Sequence, residues 1–126
     1  MANVGFFQIP ADDIDRAKNF YQSLLGWKIE SDTSLENKSL QWQNIITGEA
    51  KEGMMNKGGL FKRYIPGPIM NFVIVDDFDH IYARVEKLGG TIVMPKNDIK
   101  NVGLVAVIQD TEGNVIGLLK PAGSGT

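Results

Sequence analysis

Asp12-Asp13-Ile14-Asp15 and Asp76-Asp77-Phe78-Asp79 are one short segment written twice, at an offset of 64 residues (Asp12 to Asp76). The same offset pairs Phe6 with Met70, Ile9 with Val73, Leu24 with Leu88, Gly26 with Gly90 and Ile29 with Val93. Carboxylates gather at helix starts for a general reason, since they meet the free N–H groups and the positive end of the dipole. A match of four residues would therefore carry little by itself. The register, however, holds through a strand, a helix, its terminal glycine and the next strand, which marks an internal duplication.

Each copy has the same physical grammar. Residues 4–9 form an apolar, β-forming run that Pro10 stops. Ile14, Ala17, Tyr21, Leu24 and Leu25 follow at three- and four-residue steps, predicting an amphipathic helix that Gly26 ends. Strands are expected at 27–30, 40–47 and 58–62. In the second copy, strand 71–75 leads to a helix over 77–88, with Phe78, Ile81, Tyr82, Val85 and Leu88 on its apolar side and Gly89-Gly90 closing it. Strands at 91–94, 104–109 and 114–119 complete the pattern, with Glu112-Gly113-Asn114 as the last hairpin turn. Residues 51–57 and 64–68 read as linkers and 122–126 as a flexible tail.

The 126 residues are enough for one domain with a real core, and a hydrophobic fraction of 43% with 22% charged residues is ordinary for a globular chain. A net charge of -2 provides no basic field to hold phosphates, so no nucleic acid is expected as a partner. No apolar run approaches the ~20 residues of a membrane span, and residues 1–10 lack the layout of a signal peptide. The absence of cysteine removes disulfides, thiolate metal sites and a cysteine nucleophile, and fits a cytoplasmic protein. His80 is the single histidine, placed in the first turn of the second helix, where a solvated side chain is expected.

Strand, helix and three strands, twice over, resembles the module of the vicinal oxygen chelate superfamily of glyoxalases, bleomycin-resistance proteins and ring-cleaving dioxygenases. The resemblance is carried by Gln8-Ile9-Pro10-Ala11-Asp12-Asp13, Arg16-Ala17, Phe20-Tyr21, Leu24-Leu25-Gly26-Trp27, Val75-Asp76-Asp77, Leu88-Gly89-Gly90 and Asp110-Thr111-Glu112-Gly113-Asn114-Val115-Ile116. It implies an α+β fold of two tandem βαβββ modules, residues 4–62 and 70–120 of a single domain over 1–126. The modules would form a cupped, incomplete eight-stranded barrel with helices outside and a tail from 121 to 126. It also implies a homodimer.

In catalytic members a divalent metal sits in the cup, held by imidazole and carboxylate groups, and acts as a Lewis acid. The position that typically holds histidine on the first strand is Phe6 here, and its counterpart in the second module is Met70. The usual glutamate four residues after the turn glycine Gly113 falls on Gly117. The fourth position lies within 58–62, where Gly58, Gly59, Leu60 and Phe61 cannot ligate and Lys62 would first have to lose its proton. A thioether suits soft metals poorly matched to this chemistry. No metal and no other cofactor is expected.

With Phe6, Met70 and Gly117 at the centre, the cup is expected to be apolar. Strand alternation adds Gln8 and Phe72 to the same face. Trp42 and Asn44 share one face of their strand, and Phe61 is a further lining candidate. Such a cavity fits a small organic ligand, although these side chains would equally fill a barrel centre as core. Two enzymatic alternatives stand beside the binding protein. One is a metal-dependent lyase or dioxygenase of the glyoxalase type. The other works without a metal, with Gln8, Asn44 or Lys62 polarising a carbonyl. Lys62-Arg63 read either as an anion contact or as solvated edge residues, and Met54-Met55 as a lid or a subunit contact.

Overall fold

The structure, a computed structural model, describes residues 2–31, 41–49, 55–64 and 66–123. It contains two compact units, one of Phe6–Ile69 and one of Met1–Gly5 with Met70–Thr126. Met54 lies outside the described residues.

The first unit holds most of β1 (Asn3–Ala11), followed by α1 (Ile14–Leu25), β2 (Lys28–Ser31), β3 (Gln43–Ile46) and β4 (Lys57–Lys62). The strands hydrogen-bond in the order β2-β3-β4-β1, antiparallel except for the parallel β1–β4 pair. Asp13 caps α1 by accepting a hydrogen bond from the Arg16 N–H at 3.0 Å. Gly26 ends the helix in the left-handed conformation (φ 71°), donating its N–H to the Gln22 carbonyl. One side of the sheet carries Ile9, Ala11, Ile29, Ile45 and Leu60, and α1 buries Ile14 against it. Gly58 leaves room on that side for Phe7, whose ring would lie 2.5 Å from any Cβ placed there.

Leu24 and Leu25, expected on the buried face, are 65% and 51% exposed. Trp27 instead folds back onto Tyr21, with ring centroids 5.3 Å apart and planes 7° from parallel, and covers the end of the apolar stripe. The dipeptide Asp12-Asp13 also divides its labour. Asp13 caps the helix, while Asp12 takes the Arg63 guanidinium at 3.0 Å and its own carbonyl accepts from the Lys62 ammonium. Lys62 and Arg63 therefore pin the β1–α1 turn.

The second unit adds β5 (Met70–Ile74), α2 (Phe78–Arg84), β6 (Thr91–Ile99), β7 (Gly103–Gln109) and β8 (Val115–Pro121). Its strand order is β5-β8-β7-β6, with β5 and β8 parallel. Val75, Phe78, Ala106 and Leu118 form its core on the α2 side. The chain is thus α+β, with βαβββ order used twice and parallel and antiparallel pairing mixed.

Several elements differ from the sequence expectation, beginning with β1, which does not stop at Pro10 but pairs with β4 through Pro10 and Ala11. Helix α2 ends at Arg84 because the chain tightens: Leu88 N–H reaches both Arg84 and Val85 carbonyls, and Gly90 N–H closes onto Val85 at 2.9 Å. Leu88 is left 63% exposed. Strand β6 runs on to Ile99, past Pro95, through two register irregularities between Ile92 and Asn97. As the last strand in the order, it tolerates a residue without an N–H. Strand β8 continues to Pro121, and Ala122 N–H bonds the Val102 carbonyl at 2.9 Å.

The two helix starts are not equivalent either, since Asp77 makes no side-chain capping bond. We expect Asp13→Ala to cost about 1 kcal/mol and Asp77→Ala only a few tenths, measured by urea unfolding. Equal losses would contradict the capping assignment.

The β7–β8 hairpin is organised by Asp110. Its carboxylate accepts from the Glu112 N–H at 2.8 Å, the Asn114 N–H at 2.9 Å and the Asn114 side-chain amide at 3.1 Å. The backbone N–H of Asn114, then that of Glu112, hold its pKa below the ordinary value. A depressed folded pKa contributes stability that is complete above the unfolded value and is lost as pH falls through the folded one. Amide protection around Glu112 and Asn114 should thus weaken below about pH 4 in hydrogen exchange, and Asp110→Ala should abolish that dependence.

Candidate functional site

The face of the first unit turned away from α1 is assembled by strand register. Glu30 pairs with Asn44, Asn44 with Gly59, and Gly59 with Gln8, giving one row across β2, β3, β4 and β1. Two residues along the strands in one direction lie Lys28, Ile46 and Lys57, also register partners. In the other direction Phe61 pairs with Pro10, and Trp42 stacks on Phe61 with centroids 6.0 Å apart.

Gly59 is the pivot. A Cβ there would sit 2.0 Å from the Trp42 ring, so the indole lies directly on the glycine backbone. The Trp42 indole N–H donates to the Asn44 side-chain oxygen at 2.8 Å, which fixes both side chains. Gln41, just before, holds a left-handed backbone (φ 51°) as the chain enters this arrangement. Tyr64 completes the aromatic group, its ring 5.4 Å from Phe61, and partial burial pushes its phenol pKa upward. Phe61 is only 3% exposed and backs the more open Trp42. Beyond Asn44 the face opens into a groove of about 400 Å³ bordered by Lys28, Glu30, Ile46 and Lys57.

The second unit repeats the device. Phe72 pairs with Gly117, and a Cβ on Gly117 would lie 2.4 Å from the Phe72 ring. Gly117 pairs in turn with Val107, which is 2% exposed. Since Phe72 matches Gln8 in the duplication, Gly59 and Gly117 occupy the same register position in their modules. This settles the alignment of the fourth strand.

Of the residues singled out in the sequence, Gln8, Trp42, Asn44 and Phe61 come together on the first unit's open face. Met70, Phe72 and Gly117 belong to the second unit and are buried, Met70 to 7% exposure. Phe6 is half-buried on β1. His80 is exposed. Glu30, Lys28 and Lys57 were not singled out. Lys57, at the end of the segment that reads as a linker, opens β4, and the alternation Phe61, Gly59, Lys57 places it on this face.

The metal expected of catalytic relatives does not fit these residues. Phe6 offers no ligand atom, Met70 only a buried thioether, and both glycine positions are roofed by aromatic rings. Among the described residues, no group of three or more histidine, cysteine, aspartate or glutamate side chains converges.

Comparison with known proteins agrees with this architecture. Two curated mycobacterial proteins named "Putative glyoxylase CFP32", from Mycobacterium bovis and Mycobacterium tuberculosis, are each 31% identical over 107 residues. The match takes in 84% of this chain and 41% of theirs, so the chain spans about two fifths of the length of these relatives. The hypothetical protein BH1468 from Bacillus halodurans superposes with a TM-score of 0.71 over 99% of this chain and 98% of its own, at 13% identity. Methylmalonyl-CoA epimerase from Mycobacterium tuberculosis does so with a TM-score of 0.67 over 94% and 87%, at 16% identity. At such identities the two structures speak for the fold alone. A family model matches residues 3–118, nearly the whole duplicated region, and with it the chain belongs to the Glyoxalase/Bleomycin resistance protein/Dioxygenase superfamily.

Proposed function

We infer that this protein is a metal-free binder of small organic molecules, with Trp42 as the contact surface for a planar group. The carrying observation is that Gly59 and Gly117, at matching register positions of the two modules, are each covered by an aromatic ring, one of which, Trp42, remains half-exposed beside two amides. An aromatic surface with a few convergent polar groups is a common design for ligand recognition. Gln8 and Asn44 supply hydrogen bonds, and nothing in the group pairs a nucleophile with a base. The same reading extends to a homodimer in the cytoplasm.

NMR titration with 2-naphthol tests it. The indole N–H resonance of Trp42 should shift saturably, while that of Trp27, stacked on Tyr21, stays in place. Absence of any shift at Trp42, or equal shifts at both indoles, would contradict the reading.

A further inference from the structure

The open face of the first unit carries more than an aromatic wall. Its three register rows differ in chemistry: Pro10 and Phe61 are apolar, Gln8, Asn44 and Glu30 are polar around Gly59, which the Trp42 indole covers, and Lys57 and Lys28 flank Ile46. Resting on the binding function inferred above, we propose that this face recognises an elongated ligand with a planar ring at one end and an anionic group at the other. The ring would stack on Trp42, and the anion would be held by Lys57 and Lys28.

The four described cations on or next to the strands of this sheet separate into two sets. Lys62 and Arg63 are committed to Asp12. Lys57 forms no ion pair among the described residues, and Lys28 meets only the exposed Glu30, at 3.5 Å. A surface pair of that kind contributes little and yields readily to a better partner. Lys28 and Lys57 border the same groove of about 400 Å³, so two positive charges face one open volume with a single carboxylate beside them. The Trp42 indole lies over Gly59, two residues from Lys57 on β4, which is about 7 Å of strand. That separation sets the ligand's length, and the amides of Gln8 and Asn44 flank its ring end.

The probes are 5-(2-naphthyl)pentanoate and its neutral amide, titrated into the full chain and followed by NMR. The carboxylate should bind about fivefold more tightly than the amide, with shifts at the Trp42 indole and at the Lys57 and Lys28 amides. Lys57→Gln should reduce that preference, and the double variant with Lys28→Gln should remove it, whereas Trp42→Ala should weaken both compounds. Equal affinities with shifts confined to Trp42 would overturn the anionic end and leave the binding function standing. No response at Trp42 from either compound would remove both. If the resonances of Lys28, Asn44, Ile46 and Lys57 move with protein concentration and not with probe, a second copy covers the face and the proposal falls.

Discussion

Gly117→Glu, which restores a carboxylate where the fold's catalytic members carry one, is expected to destabilise this protein by about 4 kcal/mol or more and to recruit no metal. The Cβ alone would lie 2.4 Å from the Phe72 ring, which must leave its place over the strand. Overpacking of that kind costs about 1–3 kcal/mol. The carboxylate adds a charge at a buried position without a partner, and uncompensated burial costs several kcal/mol more. Gly117→Ala isolates the first contribution and should lose about 1–3 kcal/mol in urea unfolding. Stability of a domain this size is about 5–15 kcal/mol, so the glutamate variant should be near its folding threshold. A glutamate variant as stable as the parent would show that the ring does not occupy the ligand's place.

Gly103→Ala should be comparably damaging for a different reason. Gly103 opens β7 with φ 130°, a region closed to residues with a Cβ. An added Cβ would also stand 2.1 Å from the Lys120 carbonyl oxygen and 2.7 Å from the Ala122 nitrogen, atoms of backbone that cannot rotate away. The β7–β8 pairing would have to open at that end, at an expected cost of about 3 kcal/mol or more. Gly26→Ala is the control. It shares a positive φ but meets nothing within 4 Å, so only the left-handed backbone penalty of about 1–2 kcal/mol applies. Similar losses for the two variants would contradict the close approach at Gly103.

The duplication was legible because one periodicity ran through several elements at once, and the strands and α1 followed from it. What escaped was set by tertiary contacts that local pattern does not encode. Val85 and Leu88 continue the apolar stripe of α2, yet hydrogen bonds spanning three residues, Val85 to Tyr82, Leu88 to Val85 and Gly89 to Glu86, tighten the chain after Arg84. Pro95 looked like the end of a strand, but β6 lies last in its sheet order and its bulges absorb the residue. Leu24 and Leu25 fit the period and are nevertheless exposed, because Trp27 takes the position over Tyr21.

At the site, the lack of ligand-forming residues could be read directly from Phe6, Met70 and Gly117. The reason glycine stands at positions 59 and 117 could not. That reason lies in Trp42, just before β3, and Phe72 on β5, whose rings occupy the space over the two glycines. The lysine row was hidden because Lys57 sits at a strand start that reads as linker.

The central claim is that aromatic rings have displaced the divalent-metal site of this fold. Equilibrium dialysis of the purified full chain against zinc, nickel, manganese and iron(II), with elemental analysis of the retained protein, tests it most directly. The account predicts no stoichiometric binding of any of these ions. One equivalent of any of them retained per chain would contradict it.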